Sequence, residues 1–240
     1  MTIRLPSATS SRATVSAGTH LGALWSIILM GTQRTEYAGE TKERVQIRLG
    51  FELADAFYDD GNPRLVSQTY TFSWHPNSNF RNAIESWCGN VDEEEFELDA
   101  LIGRAAILGI GHGEGARGPY AYIQSILAVP PAQPDRVSLV NESVLLDYGD
   151  NFDKAVFDAQ PDWLRQKLAA APEYRQLAKG AVPQSRLVGR LQDEVREGGL
   201  FSAPRQRSPT TLSRDIDDEI PFISNDIALE PGISRKRAAL

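Results

Sequence analysis

From residue 43 to residue 53 the chain alternates. Val45, Ile47, Leu49, Phe51 and Leu53 are apolar, and Gln46, Arg48, Gly50 and Glu52 fall between them. Period two sends successive side chains to opposite sides of a β-strand, so this segment predicts a half-buried strand with a solvated polar face. Residues 19–30 place Leu21, Ala23, Trp25, Ile27 and Leu29 on one side and predict a strand before it. Residues 65–74 set Tyr70, Phe72 and Trp74 opposite Thr69, Thr71 and Ser73 and predict a strand after it. The period then lengthens. Phe80, Ala83, Ile84 and Trp87 share one helical face, with Asn77-Ser78-Asn79 able to cap the start and Gly89 the end. A short turn at 98–102 leads to strands at 105–110 and 120–129, joined by a Gly-rich loop over 111–119. Three strands, a helix and two more strands is the order of the five-stranded OB-type barrel. The expected fold class is therefore mainly β, a five-stranded OB-type barrel with one helix between strands 3 and 4.

Pro130, Pro131 and Pro134 end the barrel sharply. Beyond them Pro161-Asp162-Trp163-Leu164 opens a helix ending near Ala171, and a second short helix is expected over 174–177. Leu187, Leu191 and Val195 form an apolar stripe at helical spacing, which permits contact with a partner or a homo-oligomer. The expected organisation is a flexible leader at 1–17, the barrel at 18–131, an extension with short helices at 132–197, and a disordered tail at 198–240.

Composition narrows the classes. No apolar run is long enough for a membrane span, and no signal-type segment opens the chain, so no membrane association is expected. The single cysteine, Cys88, excludes an internal disulfide and fits a reducing cytoplasm. Three scattered histidines give no metal-ligand spacing, so neither metal nor cofactor is expected. The acidic run 92–97 reads as a solvated charge run, because consecutive carboxylates radiate in several directions. Net charge is −7, and residues 13–150 hold nine Lys or Arg against nineteen Asp or Glu, so any polyanion must be met by a local cationic stripe.

Asp215, Asp217, Asp218 and Glu219 run into Ile220, Pro221 and Phe222. This segment resembles the terminal peptide of bacterial single-stranded DNA-binding proteins, a docking tip for replication and repair partners. Here eighteen residues follow the Phe. A second resemblance is spread over residues 15 to 177. It rests on Gly18-Thr19-His20-Leu21, Leu49-Gly50-Phe51-Glu52-Leu53, Tyr70-Thr71-Phe72-Ser73, Glu85-Ser86-Trp87, Leu101-Ile102-Gly103-Arg104 and Tyr120-Ala121-Tyr122-Ile123. With these the chain resembles a family of phage- and prophage-encoded single-stranded DNA-binding proteins with an OB-type core. The resemblance implies non-catalytic binding of single-stranded DNA during phage replication or recombination in the bacterial cytoplasm.

An OB barrel binds single strands on the face around its second and third strands and in the loops joining strands one to two and four to five. The first loop is expected over Gly31 to Lys42 and the second over Gly111 to Pro119. Arg34, Lys42, Arg44, Arg48 and Arg117 would form the line that follows phosphates, and Tyr37, Trp74, Tyr120 and Tyr122 would stack on bases. Asp215 to Phe222 would dock replication or recombination proteins. The alternative reading is a protein-interaction adaptor whose barrel has lost DNA binding, favoured by the acidic core. A nuclease is disfavoured, since no clustered carboxylates for two metals stand out in the sequence.

Overall fold

The computed structural model describes residues 14–37, 40–92, 96–115, 118–132, 134–149 and 152–180. The stripe at 187–195 and the acidic motif at 215–222 lie outside them. The elements run β1 (Gly18–Tyr37), β2 (Glu40–Phe57), β3 (Pro63–Thr71), α1 (Asn79–Cys88), a 3-10 turn (Asp99–Leu101), β4 (Ala105–Gly115), β5 (Gly118–Leu127), β6 (Val144–Leu146), α2 (Lys154–Asp158), α3 (Asp162–Ala170) and α4 (Pro172–Leu177).

The protein is mainly β, built on one six-stranded sheet in the order β3-β2-β1-β4-β5, with β6 paired to β1. All pairings are antiparallel except β6, which runs parallel to β1 at Ser26–Ile28. β3 and β5 approach within 8 Å between Cα atoms, and α1 packs against both. No ladder joins them among the described residues, so the sheet is not closed by hydrogen bonds.

β2 buries Val45, Ile47, Leu49, Phe51 and Leu53, as its alternation predicts. α1 starts where expected: Ser78 is its N-cap, accepting from the Arg81 amide at 3.1 Å. Its apolar face buries Phe80, Ile84 and Trp87. The Trp87 indole sets its ring edge-on to Phe51 and donates to the Ala105 carbonyl at 2.7 Å.

Two expectations fail for a shared reason. Most of the residues assigned to the loops at 31–42 and 111–119 lie in long strands, β1 and β2 in the first case and β4 and β5 in the second. Glycine in those stretches marks a bulge and a flat strand face rather than a loop. Gly31 sits at a bulge in β1 with φ 67. A Cβ there would lie 2.8 Å from Glu173 Oε2 and 2.9 Å from both Ala171 Cβ and the Tyr148 ring. Only glycine admits the C-terminal elements at that point.

Those elements are a second layer. Leu146, Tyr148, Phe157, Leu164, Leu168 and Ala171 belong to the same core cluster as β1 and β2. Neither β6 nor α2 is predicted by the alternation; α3 and α4 fall where the proline-bounded helices are expected. The leader's last residues are also held down. Val15 is buried, its carbonyl accepts from His112 Nε2 at 2.7 Å, and the Ser16 carbonyl accepts from His20 Nε2 at 2.9 Å.

Candidate nucleic-acid interface

The predicted cationic line divides into three parts. Arg34 pairs across the ladder with Glu43, which places both on the side opposite Lys42 and Arg44. Lys42 and Arg44 stand two residues apart on one face of β2, the first exposed and the second half-buried. Arg48 continues that face, yet it is only 7% exposed. The expectation of a solvated strand face at Arg48 is therefore corrected. Alternation marks a polar face, but the second layer covers this one. Tyr37 pairs with Glu40 at the end of the β1–β2 ladder, and Arg117 lies outside the described residues.

The covering is specific. Glu52, on the Arg48 side of β2, accepts from the amides of Val140 and Asn141 at 2.8 and 2.9 Å and from Asn141 Nδ2 at 2.7 Å. Arg48 donates to the hydroxyls of Ser67 and Thr69, and its guanidinium lies 5.2 Å from the centroid of the Trp163 ring. Burial pulls its pKa down to about 10, which leaves it charged at neutral pH. Trp74 is also corrected as an exposed stacker. It is 4% exposed, ringed by Phe80 and Phe96, with the Arg81 guanidinium over its face.

The aromatic pair on β5 meets a different environment. Gly111 pairs with Tyr122, Gly113 with Tyr120 and Gly115 with Gly118, so one face of the β4–β5 hairpin is glycine on one strand and tyrosine on the other. A Cβ at Gly113 would lie 2.7 Å from Tyr120 Cζ; the ring rests directly over the glycine. The two tyrosine rings are 6.1 Å apart at 49°, both half-buried, and Gln124 Nε2 donates to the Tyr122 hydroxyl at 3.1 Å. Tyr120 lies over Gly113 and Gly115, whereas a Cβ at Gly111 would meet Gln124 rather than Tyr122. Along the ladder this hairpin and the Lys42–Arg44 pair stand at opposite ends of β1, so the register does not juxtapose them.

Two features escape the sequence reading. Trp163 and Lys167 on α3 complete the buried Arg48 site, and nothing local to 161–171 reveals which surface that helix covers. Ser16, His20 and Asp55 form a hydroxyl–imidazole–carboxylate series, with Ser16 Oγ 3.3 Å from His20 Nε2 and Asp55 Oδ1 3.0 Å from His20 Nδ1. The two ring nitrogens lie within hydrogen-bond distance of the Asp55 carboxylate and the Ser16 carbonyl. The series fastens the leader to β1 and β2.

Burial raises the pKa of Cys88, outweighing the nearby Arg104 charge, and suppresses thiolate reactivity. Among the described residues no three His, Cys, Asp or Glu side chains are grouped to hold a metal, and no helix is long and apolar enough to cross a membrane. No protein-family model matches this chain, and no curated protein matches it.

Proposed function

We propose that the chain binds single-stranded DNA without catalysing a reaction, stacking bases on the Tyr120–Tyr122 shelf. The observation that carries this reading is the half-exposed Tyr120–Tyr122 pair, with Tyr120 resting over Gly113. Bases of any sequence stack on exposed aromatic rings. The sheet order β3-β2-β1-β4-β5, with α1 under the β3–β5 approach, supports an OB-type barrel opened along that seam. In this reading the covered β2–β3 face is not the DNA path. Lys42 and Arg44 meet phosphates near the end of the β1–β2 ladder, beside Arg34 and Tyr37, and Arg117 remains a candidate phosphate contact by sequence. The resemblance of residues 15 to 177 assigns the binding to phage replication or recombination, and Asp215 to Phe222 is the segment that docks partner proteins.

Fluorescence anisotropy with labelled oligo(dT) across a salt series tests it. Tyr120→Ala and Tyr122→Ala should each weaken binding by about 1–3 kcal/mol. Removing Lys42 and Arg44 together should flatten the salt slope by roughly 0.7 per lost phosphate contact. No binding at low salt, or binding indifferent to both tyrosines, would sink the proposal. The adaptor reading would then stand in its place, favoured by the acidic excess of residues 13–150.

A further inference from the structure

The tyrosine pair stands beyond the point where β1 holds β4. The β1–β4 ladder ends at Gly18 opposite Ile110, whereas Tyr122 and Tyr120 face Gly111 and Gly113. Past Ile110 no third strand pairs with this hairpin among the described residues. The β4–β5 register shifts at the same place, between Gly109 and Ile110, with Gln124 as the extra residue on β5. Such a bulge interrupts the ladder and bends it. A two-stranded ribbon is marginal by itself, and glycine at 111, 113 and 115 adds to the entropy lost in ordering β4. Held by its own ladder alone, the hairpin would swing about Ile110.

The leader crosses this joint. His112 Nε2 lies 2.7 Å from the Val15 carbonyl, which can only accept, so that nitrogen carries the proton. The Val15 side chain is buried in the main core cluster. The next carbonyl, that of Ser16, lies 2.9 Å from His20 Nε2, and the His20 ring reaches Asp55 on β2 at 3.0 Å. Two consecutive carbonyls are thus bonded to two histidines, one on the hairpin and one within the β1–β4 ladder, where His20 pairs with Leu108. Alternation puts His112 on the side opposite Gly111 and Gly113, and it pairs with Ala121, between the two tyrosines. The leader therefore grips one face of the hairpin while the rings lie on the other.

We propose that Val15 and Ser16 form a strap that sets the base-stacking surface, with His112 as its positioning residue. The inference rests on the reading of Tyr120 and Tyr122 as a single-stranded DNA site. Stacked bases need both rings held at a fixed height and angle, and a hairpin ordered beforehand loses less freedom on binding. The leader then governs affinity from the far face without touching a base.

Amide hydrogen exchange of the full chain, followed residue by residue, reads the strap without DNA. His112→Ala should speed exchange at the protected amides of residues 111–115 and 118–122 by about five-fold, the worth of one net hydrogen bond, and leave those of α1 as they were. Anisotropy with labelled oligo(dT) should show affinity falling by roughly two- to five-fold, because apparent affinity scales with the fraction of hairpins in place. His112→Gln brings an amide N–H to nearly the same position and should restore both readouts. His112→Phe keeps a ring without the donor and should restore neither. Val15→Ala, which loosens the strap from the core, should act in the same direction and decides the matter if His112→Ala does not fold. Affinity lost with exchange unchanged would make His112 a direct DNA contact and overturn the strap. Faster exchange with affinity unchanged would overturn its hold on the stacking surface. Failure of the unaltered chain to bind oligo(dT) strikes the DNA reading instead, and hairpin exchange alone then decides whether the strap holds.

Discussion

The segment that covers β1 and β2 is fastened very differently at its two ends. Around Gly31 every polar group is matched. Glu173 accepts from the Thr32 amide at 3.0 Å and from its hydroxyl at 2.7 Å, and Gln33 Nε2 donates to the carbonyls of Met30 and Lys167. The Tyr148 hydroxyl donates to the Leu168 carbonyl at 3.0 Å. Burial, then the Glu173 charge, raise that phenol's pKa and keep it a donor. Around Arg48 the same layer leaves two indoles unmatched and a cation without an acid. Both ends bury apolar surface of the same helix, Leu168 at one and Leu164 at the other. The difference lies in polar satisfaction.

Substitutions can break this contrast, and their expected sizes fall in order. Gly31→Ala combines a positive φ with three contacts under 3 Å, so thermal or denaturant unfolding should show a loss of about 3 kcal/mol or more. Glu173→Ala orphans the Thr32 amide and hydroxyl and should cost roughly 2 kcal/mol in denaturant midpoint, discounted for its partial exposure. Tyr148→Phe removes one buried hydroxyl, while the Leu168 carbonyl keeps the Ala171 amide, at about 1 kcal/mol. Arg48→Met should change stability by less than about 1 kcal/mol or increase it, since a buried charge leaves without abandoning an ionic partner among the described residues. A loss of about 3 kcal/mol at Arg48, as large as that at Gly31, would erase the distinction between the two ends.

Much of the sheet was legible. The alternation over 45–53 found the buried face of β2, and Ser78 with Gly89 bracketed α1 almost to the residue. Less legible was what lies against a polar strand face. Gln46, Arg48 and Glu52 have the same period whether water or a second protein layer faces them, and here all three are buried. Glycine misled in a related way. Gly31, Gly111 and Gly113 read as loop residues, yet they serve close approach within strands. The three-residue β6 carries too few positions for any period to register. Of the candidate site, Tyr120 and Tyr122 were recognisable from alternation with Ala121 and Ile123, whereas the burial of Arg48 under Trp163 joins residues more than a hundred positions apart.

β6 has a consequence for how the chain behaves in a test tube. β4 ladders with β1 only over Gly18–Ala23, and Val144–Leu146 takes up the same strand at Ser26–Ile28. Those positions lie inside the apolar run from Leu24 to Met30. Cut the chain at residue 131, and that run becomes a bare edge of N–H and C=O groups flanked by Leu and Ile, a template for strand addition between molecules. Three residues of parallel strand act as insulation, and a fragment lacking them would polymerise along β1 rather than remain dispersed.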